Sequence, residues 1–146
     1  MENFYTKKEV KKYCIQGENP NYHLHNFDVP FRALVIATSG SGKSNFLTNL
    51  ITLFCKGTGN FDNIYIFCKS RDEPIYKYIA DKSEWLIEVH EDLLKLPTIN
   101  DLKSCNQTLI IFDDMVTDLK KHPIISECFI RGRKKPASII FLIQSY

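Results

Sequence analysis

The chain has 146 residues and a formal net charge of +2 with acids and bases interspersed, which suits one domain with its own core and leaves any nucleic-acid contact to a local patch. Its five cysteines, Cys14, Cys55, Cys68, Cys105 and Cys128, are odd in number and never spaced C-x-x-C, which argues against a disulfide framework or a zinc site and for small apolar residues in a reducing compartment. No apolar stretch is long enough to span a bilayer and the N-terminus is polar, so the expectation is a soluble intracellular protein with no membrane partner.

Residues 1–30 read as a lead-in, a short helix and a loop, closed by the turn formers Asn19-Pro20-Asn21 and Asp28-Val29-Pro30. Lys7, Lys8, Lys11 and Lys12 could touch nucleic acid, but Glu2 and Glu9 dilute them, and a solvated helix face is the better account. His23 and His25 lack a nearby third ligand, which disfavours a metal and leaves a packing or adenine-facing role.

At Phe31 the character changes. Leu34-Val35-Ile36 is a short apolar run, and it leads into Ala37-Thr38-Ser39-Gly40-Ser41-Gly42-Lys43-Ser44-Asn45. Those residues fit the Walker A spacing G-x-x-x-x-G-K-[ST], with Ala37 in the place of the first glycine. Phe46, Leu47, Leu50, Ile51 and Phe54 then recur at helical spacing, which supplies the strand–loop–helix setting the motif requires. The chemistry explains the residue types. Gly40 and Gly42 let backbone N–H groups approach phosphate closely, Lys43 would reach the β- and γ-phosphates, and the Ser44 hydroxyl would ligate Mg²⁺. The run from Ala37 to Asn45 is therefore the candidate site for a nucleoside triphosphate. No Asn-Lys-x-Asp guanine-reading motif is present, so ATP is expected rather than GTP.

Beyond the loop at 57–63, Ile64 to Cys68 has the β-branched and aromatic content of a second strand. Pro74 to Ala80 reads as a short helix, Trp85 to Val89 as another strand, and 91–96 and 100–104 as helical turns around Pro97. Thr108 to Phe112 is a continuous apolar run ending in Asp113-Asp114; a helix follows Pro123 over 124–130, and Ser138 to Ile143 is a last buried strand ending in Gln144. Apolar strands alternating with helices predict an α/β fold with a mostly parallel sheet covered on both faces.

Four apolar residues and then an acid at a strand's carboxyl end match a Walker B element. Asp113 would hold Mg²⁺ on a strand beside the Walker A strand, and Asp114 would polarise the attacking water. Alone, an Asp-Asp pair is more often a helix cap or turn; the preceding Leu109 to Phe112 and the Walker A run change that reading. Gln144, at the top of the sheet, could hydrogen-bond the γ-phosphate or the water and report hydrolysis. Arg131 to Lys135 is the densest basic run, and Arg131 and Arg133 flank Gly132. A solvated turn, an arginine finger offered to a neighbouring subunit, and a DNA-backbone contact all fit it.

From Pro30 onward the residues resemble the FtsK/HerA group of P-loop ATPases, and within it the DNA-packaging ATPases of poxviruses, giant viruses, virophages and related mobile elements. The likeness rests on 30–37, on 61–70, on Ile111 to Val116, and most specifically on Phe129-Ile-Arg-Gly-Arg133 and Ile140 to Tyr146. It implies a P-loop NTPase domain over 31–146, Lys43 and Ser44 as the Walker A pair, Asp113 and Asp114 as the Walker B acids, Arg131 or Arg133 as the finger and Gln144 as a sensor. It also implies ATP and Mg²⁺, a homo-oligomeric ring, double-stranded DNA and viral capsid proteins as partners, and a place in the infected cell's cytoplasm or the virion. Ala37 replaces a glycine, as the family tolerates, and Lys134 replaces a common histidine. Relatives continue past the position of Tyr146, so the fold is expected to be truncated at its C-terminal end. The alternatives are a truncated, non-motor nucleotide-binding fragment or another P-loop ATPase.

Overall fold

A strand-length run that is apolar throughout can bury both faces, and runs of this kind at Ile64 to Cys68, Leu109 to Phe112 and Ile139 to Leu142 form the centre of a five-stranded sheet. The computed structural model describes Lys8 and residues 19–57, 59–83, 86–98, 100–102, 107–115, 123–131 and 135–145, without the side chains of Ile124 and Arg131. In chain order the elements are α1 (Tyr22–His25), β1 (Arg32–Thr38), α2 (Lys43–Phe54), β2 (Asn63–Cys68), α3 (Pro74–Ser83), β3 (Ile87–His90), a 3₁₀ turn (Leu93–Lys95), β4 (Thr108–Asp113), α4 (Pro123–Arg131) and β5 (Ala137–Ser145). The strand order is β1-β5-β4-β2-β3. Every pairing is parallel, so the sheet is all parallel rather than mostly so. The architecture is consistent with a P-loop NTPase-like fold.

Successive side chains on a strand point to opposite faces, and the core divides accordingly. Leu109 and Ile111 of β4 join Leu47, Ile51 and Phe54 of α2 and Tyr76 and Ile79 of α3. Ile110 and Phe112 join Ile125 and Cys128 of α4 with Ile139 and Phe141 of β5. Leu109 to Phe112 are all at 0% exposure, each such side chain contributing about 1.5–3 kcal/mol by burial.

Two expectations are corrected. The strand carrying Asp113 does not lie beside β1: β5 sits between them, pairing with both. Sequence order could not show this, because inserting β5 depends on crossover connections rather than on any strand's own composition. The third strand begins at Ile87, after Leu86, which was expected within it; Trp85, the expected start, lies outside the described residues, as do Lys7, Lys11, Lys12 and most of the lead-in. Its described part is seated by polar contacts: the Asn21 side-chain amide donates to the Gly59 carbonyl at 2.8 Å and to Asn60 Oδ1 at 2.9 Å. His25 is buried against Phe27 and Phe54 and bonds Asn60, which is the packing role.

Among the described residues β1 is an edge strand, paired only with β5. Ala33 and Val35 pack on the α2 side, whereas Leu34 and Ile36 on the other face are 57% and 60% exposed. Leu34 borders a groove of about 240 Å³ with Ile125, Phe129, Phe141 and Ile143. Among the described residues no helix is long and apolar enough to cross a membrane.

Candidate functional site

The turn between β1 and α2 is shaped by its two glycines. Gly40 has φ 73° and Gly42 φ 89°, and an added Cβ at either would meet nothing within 4 Å. Backbone conformation, not lack of space, therefore requires glycine there. Gly42 caps α2, its carbonyl accepting the Phe46 N–H at 2.8 Å. The Ser41 hydroxyl donates to the Thr38 carbonyl at 2.6 Å and its N–H to the same oxygen at 3.3 Å, tightening the loop. Lys43 opens the helix and its Nζ lies 3.4 Å from the Ala37 carbonyl, a contact long enough to be given up readily. The helix N-terminus with its unpaired N–H groups thus faces the carboxyl edge of the sheet, where an anion is favoured.

Strand register brings the remaining residues to that edge. Gln144 stands opposite Ala37, and Asp113 ends β4 opposite Cys68 of β2 and Leu142 of β5. Asp114 leaves the strand at φ 55°, in the left-handed region that aspartate tolerates better than most residues, and its N–H is held by the Leu142 carbonyl at 3.1 Å. A cavity of about 390 Å³ joins these elements, lined by Thr38 to Gly40 and Gly42 to Asn45 of the loop, by Asp113, Asp114 and Gln144, and by Glu73. Ala37 and Ser41 belong to the loop's internal bonds rather than to the cavity wall. Arg131 ends α4 with its side chain outside the described residues, and Arg133 lies wholly outside them.

The two acids differ in their surroundings. Asp113 is buried, with its Oδ2 taking a short hydrogen bond from the Tyr76 hydroxyl and its Oδ1 without a hydrogen-bond partner among the described residues. Burial raises its carboxyl above the ordinary aspartate range; the Tyr76 bond opposes this, the Asp114 charge adds to it, and Lys43 and Lys69 oppose it. Nearby, burial and then the Asp113 charge push the Cys68 thiol up to about 12. A buried carboxylate oxygen left unpaired is costly, and a hard divalent cation takes oxygen ligands of this kind. The donor set of Asp113 and the Ser44 hydroxyl, which also borders the cavity, therefore fits Mg²⁺.

Asp114 is partly exposed and ion-paired to Lys69, Nζ to Oδ2 at 2.9 Å. With 48% of the Lys69 side chain exposed, such a pair is worth about 0.2–1 kcal/mol, too little to withhold the carboxylate from another partner. Sequence reasoning missed Tyr76, Lys69 and Glu73. Lys69 directly follows a legible strand, and its position at the sheet's carboxyl edge was the available signal. Nothing local marks Tyr76, which reads as one more apolar position of α3.

The fold and site define an α/β protein in which a glycine-bearing strand–loop–helix turn and two strand-end acids share one cavity at the carboxyl edge of a parallel sheet. Residues 22–146 match the model of the Poxvirus A32 protein family, and the chain belongs to that family. It is similar to the DNA packaging protein OPG160 of variola virus, with 29% identity over 136 residues, covering 81% of this chain and 47% of that protein. The protein of the same name from a second variola virus isolate matches to the same extent. The chain spans about half the length of the curated relatives it matches, 47% in each case.

Proposed function

We propose that the chain binds and hydrolyses ATP with Mg²⁺ as a subunit of a viral DNA-packaging motor of the FtsK/HerA type, acting on double-stranded DNA as a ring in the host cytoplasm or the virion. One observation carries the reading: the loop bearing Lys43 and Ser44, the strand-end pair Asp113-Asp114 and Gln144, far apart in sequence, border one cavity. Family membership, and the printed name of the variola relatives, support the packaging role.

In this reading the loop N–H groups and the α2 N-terminus bind the triphosphate, and Lys43 moves from the Ala37 carbonyl to the β- and γ-phosphates. Asp113 and Ser44 would hold Mg²⁺, which would supply positive charge against the negative charge that develops on the phosphate. Asp114 orients the attacking water, and Gln144 hydrogen-bonds the γ-phosphate or that water. Arg131 or Arg133 reaches the nucleotide of a neighbouring subunit, and capsid proteins receive the ring.

The division of roles is tested by calorimetry and turnover assays. Lys43→Ala is expected to abolish ATP binding, because Lys43 contacts phosphate in the ground state. Asp114→Asn is expected to leave binding intact and to lower turnover by at least 10²-fold, the lower end of what a positioned proton acceptor supplies. Equal loss of affinity in both variants would refute the assignment.

A further inference from the structure

We propose that Tyr76 is a positioning residue for the metal: its hydroxyl holds Asp113 Oδ2 so that Oδ1 remains the oxygen available to Mg²⁺. The proposal rests on the reading of Asp113 as a metal ligand and adds the residue that orients it. Tyr76 is 1% exposed, packed in the core face that α2 and α3 share, so its hydroxyl has little freedom to choose a partner. The start of α3 is fixed as well. The Glu73 carbonyl accepts the N–H groups of Tyr76 at 3.0 Å and Lys77 at 3.2 Å, which anchors the first turn at the rim of the cavity that Glu73 borders.

The hydroxyl can only donate to a carboxylate, which accepts and does not donate. The result is an asymmetric carboxylate, one oxygen bonded from the core and the other, although buried, without a hydrogen-bond partner among the described residues. A ligating carboxylate held by an outer hydrogen bond binds its metal more tightly than one that must be oriented by the metal itself, because the orientation is already fixed. Without the hydroxyl, Asp113 could turn either oxygen, or neither, toward the phosphates.

The test separates metal from nucleotide. Mn²⁺ is titrated into the ATP-bound protein and followed by electron paramagnetic resonance, while ATP binding in EDTA is measured by calorimetry. Tyr76→Phe keeps the ring, and thermal unfolding verifies the fold. It is expected to weaken Mn²⁺ binding by about 10–100-fold, the usual effect of losing an outer hydrogen bond to a ligand, with metal-free ATP affinity unchanged. In an Asp113→Asn background the same change should cost nothing further; an additional loss there would mean that Tyr76 acts elsewhere and would overturn the proposal. Unaltered Mn²⁺ affinity in folded Tyr76→Phe would overturn it too. Absence of Mn²⁺ binding by the wild-type ATP complex would instead overturn the site reading beneath it. If Tyr76→Phe does not fold, the ζ-carbon resonance of Tyr76 in ¹³C-tyrosine-labelled wild-type protein decides: it should shift when Mg²⁺ joins the ATP complex, and a stationary resonance refutes the coupling.

Discussion

Asp113 weakens the fold that it equips for chemistry. Its carboxylate is buried with one oxygen unpaired, and an unpaired buried polar group costs about 1–3 kcal/mol, more when charged. Asp113→Asn is therefore expected to raise the melting temperature of the nucleotide-free protein at pH 7 by roughly 2–4 °C for each kcal/mol recovered. Addition of ATP and Mg²⁺ should stabilise the wild type more than the variant, narrowing or reversing the gap in a thermal-shift assay. The pH dependence has a definite sign. Burial raises this carboxyl's pKa, so the folded state favours the protonated form; the penalty is present at neutral pH and fades as pH falls through the raised native value. The gap between variant and wild type should close in acid, whereas a gap that widens there would contradict the burial argument. Lys43, Ser44, Asp113, Asp114 and Gln144 were legible because each is marked by its neighbours in sequence, glycines before the lysine and apolar runs before the acids. Tyr76 and Lys69 were not, since what qualifies them is contact with β4 from α3 and β2, and no local period encodes such contact.

The strands themselves were readable for a related reason. A strand buried on both faces is apolar along most of its length, and Ile64 to Cys68, Leu109 to Phe112 and Ile139 to Leu142 carry that mark. Their lateral order carries none, and so the insertion of β5 between β1 and β4 emerged only in three dimensions. β1 shows what that order leaves open: among the described residues it stands at the sheet's edge, with two large aliphatic side chains exposed. Edges of this kind pair with other chains. The protein is expected to self-associate with rising concentration, and Leu34→Lys combined with Ile36→Lys should reduce that association in light scattering while far-UV circular dichroism stays unchanged. A wild type that remains monodisperse at high concentration would show the edge to be protected.

At the scale of the whole molecule the open question is whether the site is completed by a neighbour. If Arg131 and Arg133 serve the nucleotide of an adjacent subunit, their loss and the loss of Asp114 fall on opposite sides of one interface. Mixing an Arg131→Ala, Arg133→Ala double variant with Asp114→Asn should then restore part of the ATPase activity that each lacks alone. A mixture that co-assembles and stays inactive would place the arginines in cis or on DNA. DNA affinity that falls less steeply with salt in the double variant than in the wild type would select the second.

The place of β5 in the sheet also sets when this molecule can become whole. Among the described residues β1 has no other hydrogen-bonding strand, and its register runs from Arg32 opposite Ile139 to Thr38 opposite Ser145. On a ribosome adding 5–20 residues per second, the strand that leads into the lysine loop emerges roughly five to twenty seconds before its partner. During that interval β2, β3 and β4 can pair among themselves, but the loop has no sheet to hang from. Long-range parallel pairing is slow even in a complete chain, because loop closure must precede any contact that rewards it. The loop between β1 and α2 is therefore among the last of the described elements to be seated on the sheet, and Leu34, Val35 and Ile36 wait for β5 in the meantime.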